Sequence, residues 1–218
     1  DILKIPYYAP LRNSQLAGKH LGVVIYCIGL TADFHKRPFD TVEAHVCKLL
    51  EVLSNTNFDS ILYLSSTRIY GLNKLAKEES EFHVNPQSLS DLYNISKLMG
   101  EALISAYGPI ARVARLSNVY GGDINSGNFL SDIIWQAVQL KHVRLETSLE
   151  SEKDFISIND VCELILKIAS NGKQRIYNVA SGFNVSNRQI LEVLVRLTGC
   201  SVEIASDART IKFPPINI

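Results

Sequence analysis

Leu62-Tyr63-Leu64-Ser65-Ser66-Thr67-Arg68-Ile69-Tyr70-Gly71 and, after a polar spacer, Ser90-Asp91-Leu92-Tyr93-Asn94-Ile95-Ser96-Lys97 decide how this chain is read. The apolar residues from Ile61 to Leu64 predict a buried strand, and hydroxyls gather where that strand leaves its sheet. Open α/β sheets bind their ligands at that edge. Tyr93 and Lys97 stand four apart in a segment of helical spacing, which puts them on one face, roughly 5–6 Å apart at Cβ. A free phenol titrates near ~10. A fixed positive charge beside it favours the phenolate, moving it toward the range useful to a general base. Ser66 is placed to hydrogen-bond the same substrate hydroxyl, with Ser65 and Thr67 as alternatives.

Working outward, Val23 to Gly29 is a compact apolar run and predicts a central parallel strand. Val42, Val46, Leu49, Leu50 and Leu53 recur on one side of a helix expected over about 41–53. The Tyr93 helix is expected over 90–107, halted by Gly108-Pro109, and a strand over 110–116 follows, with a turn over 117–122. Beyond Gly122 the spacing predicts helices near 129–140, 160–169 and 186–198, and short strands near 143–146, 155–158, 176–180 and 202–205. Alternation of strand and helix argues for a doubly wound parallel sheet.

The composition narrows the function classes. The 22 basic and 22 acidic side chains leave no net charge, hence no basic field for nucleic acid. No run approaches the ~18 apolar residues that cross a bilayer. The start Asp1-Ile2-Leu3-Lys4 has no leader pattern, so a cytoplasmic protein without membrane contact is expected. Cys27, Cys47, Cys162 and Cys200 lack metal-ligand or Cys-x-x-Cys spacing and read as reduced, mostly buried thiols. No metal site is expected. His45 and His83 read as surface or satisfied histidines.

The ordered set of apolar strand, Ser-Ser-Thr-Arg-Ile-Tyr-Gly and Tyr-Asn-Ile-Ser-Lys-Leu-Met-Gly-Glu-Ala-Leu resembles the extended short-chain dehydrogenase/reductases, the NAD-dependent epimerase/dehydratase family of nucleotide-sugar enzymes. The resemblance covers about residues 23–200. It implies a Rossmann-type fold, NAD or NADP as cofactor, a nucleotide-diphosphate sugar as substrate and a homodimer. It also implies Ser66, Tyr93 and Lys97 as catalytic residues, with Ser65, Tyr93 and Lys97 on the cofactor. Cys27-Ile28-Gly29-Leu30-Thr31-Ala32 resembles the fourth-strand exit, which places Gly29 and Leu30 beside the cofactor. Leu116-Ser117-Asn118-Val119-Tyr120-Gly121 resembles the turn in which Leu116 and Ser117 meet the nicotinamide and Asn118 the substrate diphosphate, although asparagine also closes turns without a ligand. Thr67 and Lys153 complete the implied substrate contacts, Lys153 standing where the family has arginine.

Two departures qualify that picture. The Gly-x-x-Gly-x-x-Gly turn of the family's first strand does not occur in the sequence, so the 218 residues read as part of a longer protein that by themselves bind dinucleotide weakly. Thr67-Arg68 also stand where the family's dehydratases carry Asp-Glu, and neither residue can give a proton near neutral pH. The expectation is therefore an epimerase or reductase, with Tyr93 as base, and not a dehydratase. Residues 1–122 would form an N-terminally truncated NAD(P)-binding core and 123–218 a small C-terminal substrate-binding portion. The competing reading is a non-catalytic binding or regulatory module of the same fold.

Overall fold

The computed structural model describes residues 6–11, 14–30, 33–71, 73, 75–122 and 127–218. They form two compact units interleaved along the chain: Asp1–Ile69, Val84–Leu116 and Asn159–Tyr177 in the first, Tyr70–His83, Ser117–Ile158 and Asn178–Ile218 in the second. A single cut after Gly122 describes the chain by sequence; by packing, the chain passes between the units five times.

The first unit is built on β1 (Val23–Tyr26), β2 (Ser60–Ser66), β3 (Ala111–Leu116) and β7 (Ile176–Val179), in the order β1-β2-β3-β7. β1 pairs with β2, and β2 with β3, in parallel. Parallel neighbours require crossovers. α1 (Pro38–Val42) and α2 (Lys48–Asn55) supply the first, α3 (Leu89–Tyr107) the second. Ile61, Leu62 and Tyr63 are all fully buried in succession. Because successive strand residues point to opposite faces, β2 must be covered on both. On one face Leu49 of α2 and Ile104 of α3 pack with Tyr26, Ile61, Tyr63 and Val113. On the other, Ser60 Oγ donates to the Ala169 carbonyl of α5 (Ile158–Asn171).

One departure from helical regularity and one close approach shape the strand exits. The helix expected over 41–53 is interrupted between α1 and α2 by a π-helical turn, Glu43–Cys47, whose wider winding turns His45 fully inward while Leu50 is left exposed. On α3, Gly100 is where the helix meets β2: a Cβ there would lie 2.4 Å from the Tyr63 hydroxyl, so only glycine allows this approach. β1 also ends at Tyr26, three residues before Gly29, freeing the backbone of Cys27–Leu30 from the sheet. Thr31 and Ala32 lie outside the described residues.

The second unit holds β4 (Asn118–Tyr120), β6 (Glu152–Ser157) and β8 (Asn184–Ser186) in one small sheet, and β5 (His142–Thr147) parallel to β9 (Ser201–Arg209) in another. β4 stands where a turn was expected. α4 (Phe129–Trp135), a π turn over Gln136–Leu140 and α6 (Asn187–Thr198) cover the β5–β9 pair through Ile133, Ala137, Val143, Leu145, Leu191 and Leu194. Ser186 and Gln189 close the start of α6 with a reciprocal capping box, and Gly199, at φ 67°, ends it. The expectation of mostly buried thiols is corrected: Cys27 and Cys47 are exposed, Cys162 is half-buried and Cys200 buried, all unbridged. Among the described residues no helix is long and apolar enough to cross a membrane.

Candidate active site

At the exits of β2 and β3, Ser66 and Leu116 are register partners on adjacent strands. The chain then tightens into a 3-10 turn, Thr67–Tyr70, in which the Arg68 amide donates to Ser66 Oγ at 3.2 Å. The Ser66 hydroxyl also lies close enough to Tyr93 of α3 to favour its phenolate. Tyr93 is 6% exposed. Its ring is flanked by Phe34 at 5.0 Å and, edge-on, by His45 at 5.2 Å between centroids. The strand end and the helix thus bring Ser66 and Tyr93 together.

The electrostatics differ from the expectation. Burial raises the Tyr93 phenol above its ordinary value, and the Ser66 hydroxyl and the charge of Arg68 offset that only in part. The cation acting on Tyr93 is Arg68, whose guanidinium carbon lies 5.7 Å from the Tyr93 ring centre and 4.9 Å from that of Phe34. Lys97 faces elsewhere. Its Nζ donates to the Leu64 carbonyl at 2.9 Å and lies 5.1 Å from the Tyr63 ring centre, and burial lowers it to about 8.

Lys97 is instead grouped with Gly29 and Leu30. A Cβ on Gly29 would lie 3.5 Å from Lys97 Nζ and 3.1 Å from His45 Nε2. The Leu30 amide donates to His45 Nε2 at 3.3 Å. That fixes the tautomer: Nδ1 carries the proton and donates to Ser96 Oγ at 2.8 Å, and Ser96 donates to the Tyr93 carbonyl at 2.8 Å. Burial, and next the nearby Lys97 charge, lower His45 to about 3, so the ring is neutral. This buried relay ties the Gly29–Leu30 backbone to the helix turn that carries Tyr93.

The remaining expected residues fall into three settings. Ser65 is buried and donates at 2.6 Å to Glu101 of α3, which also receives Arg115 of β3 at 2.7 Å, so its hydroxyl is committed to structure. Thr67, half-buried, opens the 3-10 turn. In the second unit, the Ser117 amide donates to the Val179 carbonyl while its buried Oγ has no partner among the described residues. The Asn118 side chain donates to the Asp154 carbonyl at 2.8 Å, and Lys153 Nζ sits 4.6 Å from the Phe129 ring centre. From sequence, His45 reads as a surface or satisfied histidine and Arg68 only as a bar to dehydration, and Phe34 goes unmentioned; His45 is buried with both ring nitrogens bonded. His45 was hidden by the π turn, which ordinary helical spacing does not anticipate.

These settings suit a nicotinamide dinucleotide. Within the first unit, Lys97 has spent one of three ammonium donors and Gly29 keeps the strand-exit backbone bare. Among the described residues there is no cluster of three or more acidic, histidine or cysteine side chains able to hold a metal ion.

The model of the NAD dependent epimerase/dehydratase family matches residues 12–180. The chain belongs to that family. Among relatives of this epimerase/dehydratase chain, GDP-6-deoxy-D-mannose reductase of Pseudomonas aeruginosa is 28% identical over 170 residues, covering 73% of this chain and 56% of that protein. GDP-6-deoxy-D-talose 4-dehydrogenase of Aggregatibacter actinomycetemcomitans is 30% identical over 150 residues, covering 66% and 49%. The chain therefore spans about half the length of these curated relatives. The structure of RMD from Pseudomonas aeruginosa complexed with NADPH is similar at a TM-score of 0.70 and 23% identity, covering 88% of this chain and 72% of that one. That likeness establishes the Rossmann-type fold for this member of the epimerase/dehydratase family.

Proposed function

We propose that the protein is an NAD(P)-dependent epimerase or oxidoreductase of a nucleotide-diphosphate sugar, in which Tyr93 exchanges a proton with the sugar oxygen at the reacting carbon. The observation that carries this reading is that Ser66, at the exit of a parallel strand, acts on a buried Tyr93, with Lys97 one turn further along α3 turned toward Gly29. Ser66 and Tyr93 would share the substrate oxygen. A phenol held above its ordinary pKa keeps its proton at neutral pH, which suits delivery to a ketone oxygen; the oxidative direction uses the same group in reverse. Lys97 would hold the nicotinamide ribose, with Gly29, Leu30, Leu116 and Ser117 along the cofactor. When bound, the nicotinamide supplies or accepts the hydride. Asn118 and Lys153 would meet the substrate diphosphate, and Thr67 the sugar. Thr67 and Arg68 leave dehydration without a proton donor. A homodimer in the cytoplasm belongs to the same reading.

The relatives' names support this choice: one is a reductase and one a 4-dehydrogenase of GDP-linked deoxy sugars. The test is product analysis by mass and NMR on a panel of nucleotide sugars and their 4-keto forms, with NAD(H) and NADP(H). The expected products are an epimer of unchanged mass, or a sugar differing by two hydrogens. A product lighter by one water would overturn the exclusion of dehydration. No turnover by protein shown to be cofactor-loaded would give the place to the non-catalytic module.

A further inference from the structure

Arg68 is a half-buried cation at the exit of β2. No hydrogen bond or ion pair joins its guanidinium to any described residue, and its Nε is fully enclosed and unpaired. Desolvating a charge in this way is costly unless an opposite charge appears nearby. Its position is nonetheless fixed, because the flat guanidinium lies against the rings of Phe34 and Tyr93. The groups whose negative charge acts on it are Tyr93 and, after it, the Asp91 carboxylate. Asp91 is anchored by other donors, accepting from Asn94 Nδ2 at 3.0 Å and from the Asn85 amide at 2.9 Å. Tyr93 is the one of the two against whose ring the guanidinium lies.

We propose that Arg68 is the positioning residue of Tyr93: its guanidinium is the fixed counter-charge of the phenolate, and its backbone amide turns the Ser66 hydroxyl to donate to the same oxygen. The proposal rests on the reading of Tyr93 as the acid–base group. Arginine suits the task because it stays protonated throughout the working range, whereas Lys97, lowered to about 8, loses its charge where a phenolate would form. Ser66 comes from β2, Arg68 from the 3-10 turn, a neutral His45 from the π turn, uncharged Phe34 from the segment before α1, and Asp91 and Lys97 from α3 itself.

The test is titration of Tyr93 in ligand-free protein carrying ¹³Cζ-tyrosine, its resonance assigned by loss in Tyr93→Phe and the fold followed by circular dichroism. Arg68→Gln, which keeps the amide, should move the midpoint up by about one pH unit or more. Arg68→Lys should move it by less than half as much, and Lys97→Met by less than Arg68→Gln. An unchanged midpoint in folded Arg68→Gln overturns the proposal, as does a phenol that stays protonated in the wild type up to unfolding. Should Arg68→Gln fail to fold, Lys97→Met decides: a rise of about a unit or more there overturns the proposal, and less than half of that supports it. Because the titration needs neither cofactor nor substrate, its outcome is separate from any failure to find turnover.

Discussion

Ser65 and Ser66 are consecutive on β2, and each meets an α3 residue and lies near an arginine, yet the two places are opposites. Around Ser65 everything is paired: Arg115 and Glu101 form a buried bridge at 2.7 Å, and the serine hydroxyl supplies a further bond to the carboxylate. Around Ser66 the pairing is incomplete: the phenol is raised by burial, and the arginine's Nε has no hydrogen-bond partner among the described residues. A buried network that satisfies itself contributes to holding the fold, whereas one left incomplete reserves its donors for something that arrives later. On the proposed reading, one peptide bond separates structure from chemistry.

Substitutions can break this contrast. The largest effect is expected from Tyr93→Phe, which should lower the rate of the cofactor-competent protein by a factor on the order of 10²–10⁴ with the melting temperature nearly unchanged. A tyrosine that served packing alone would lose rate only in step with the folded fraction. Glu101→Ala should do the reverse, costing about 3–5 kcal/mol in denaturant unfolding because it strands the buried Arg115 charge, with the rate per folded molecule retained. Equal stability in that variant would remove the structural half of the comparison.

The paired alanines sharpen it. Ser65→Ala should cost roughly 1.5–3 kcal/mol, the worth of a hydrogen bond to a charged group, and leave turnover alone. Ser66→Ala should lower turnover by about tenfold or more and barely move stability. A swap of those two outcomes would mean that the serines have been assigned to the wrong places. The last effect is a slope, small near neutral pH. His45 sits near 3 when folded and close to its ordinary 6.5 when unfolded, so the unfolded chain binds the extra proton between those values. The stabilisation is complete above ~6.5 and is lost as pH falls toward 3, by up to about 1.4 kcal/mol per pH unit. His45→Gln should flatten that acid limb of the stability curve.

Much of the fold was legible because hydrophobic period and punctuation agreed along most of the chain. The α3 helix, expected over 90–107, runs Leu89–Tyr107, and the strand expected over 110–116 is Ala111–Leu116. β4 and β8 were not read, since strands of three half-exposed residues carry too few side chains to show a period. At the site, the positions of Ser66 and Tyr93 followed from the strand end and the helix. Their electrostatics did not. Four-residue spacing puts Lys97 on the Tyr93 face but does not say that the Leu64 carbonyl will hold its ammonium, and nothing local marks Arg68 as the cation that reaches Tyr93. Arg115 made β3 look less than apolar only because its partner, Glu101, lies on another element.

The parallel pairing of β5 with β9 has a consequence for the making of the protein. β9 is the only sheet neighbour of β5 among the described residues, and His142 precedes its partner Ser201 by 59 positions. At about 5–20 residues per second, a ribosome takes several seconds to cover that distance. Throughout that interval β5 is an unpaired edge carrying Val143 and Leu145, which the finished fold buries completely. The nascent chain is then most exposed to mispairing in β5, and a trigger-type holdase or slow translation of the α5–α6 stretch would alter yield without touching any residue of the finished site.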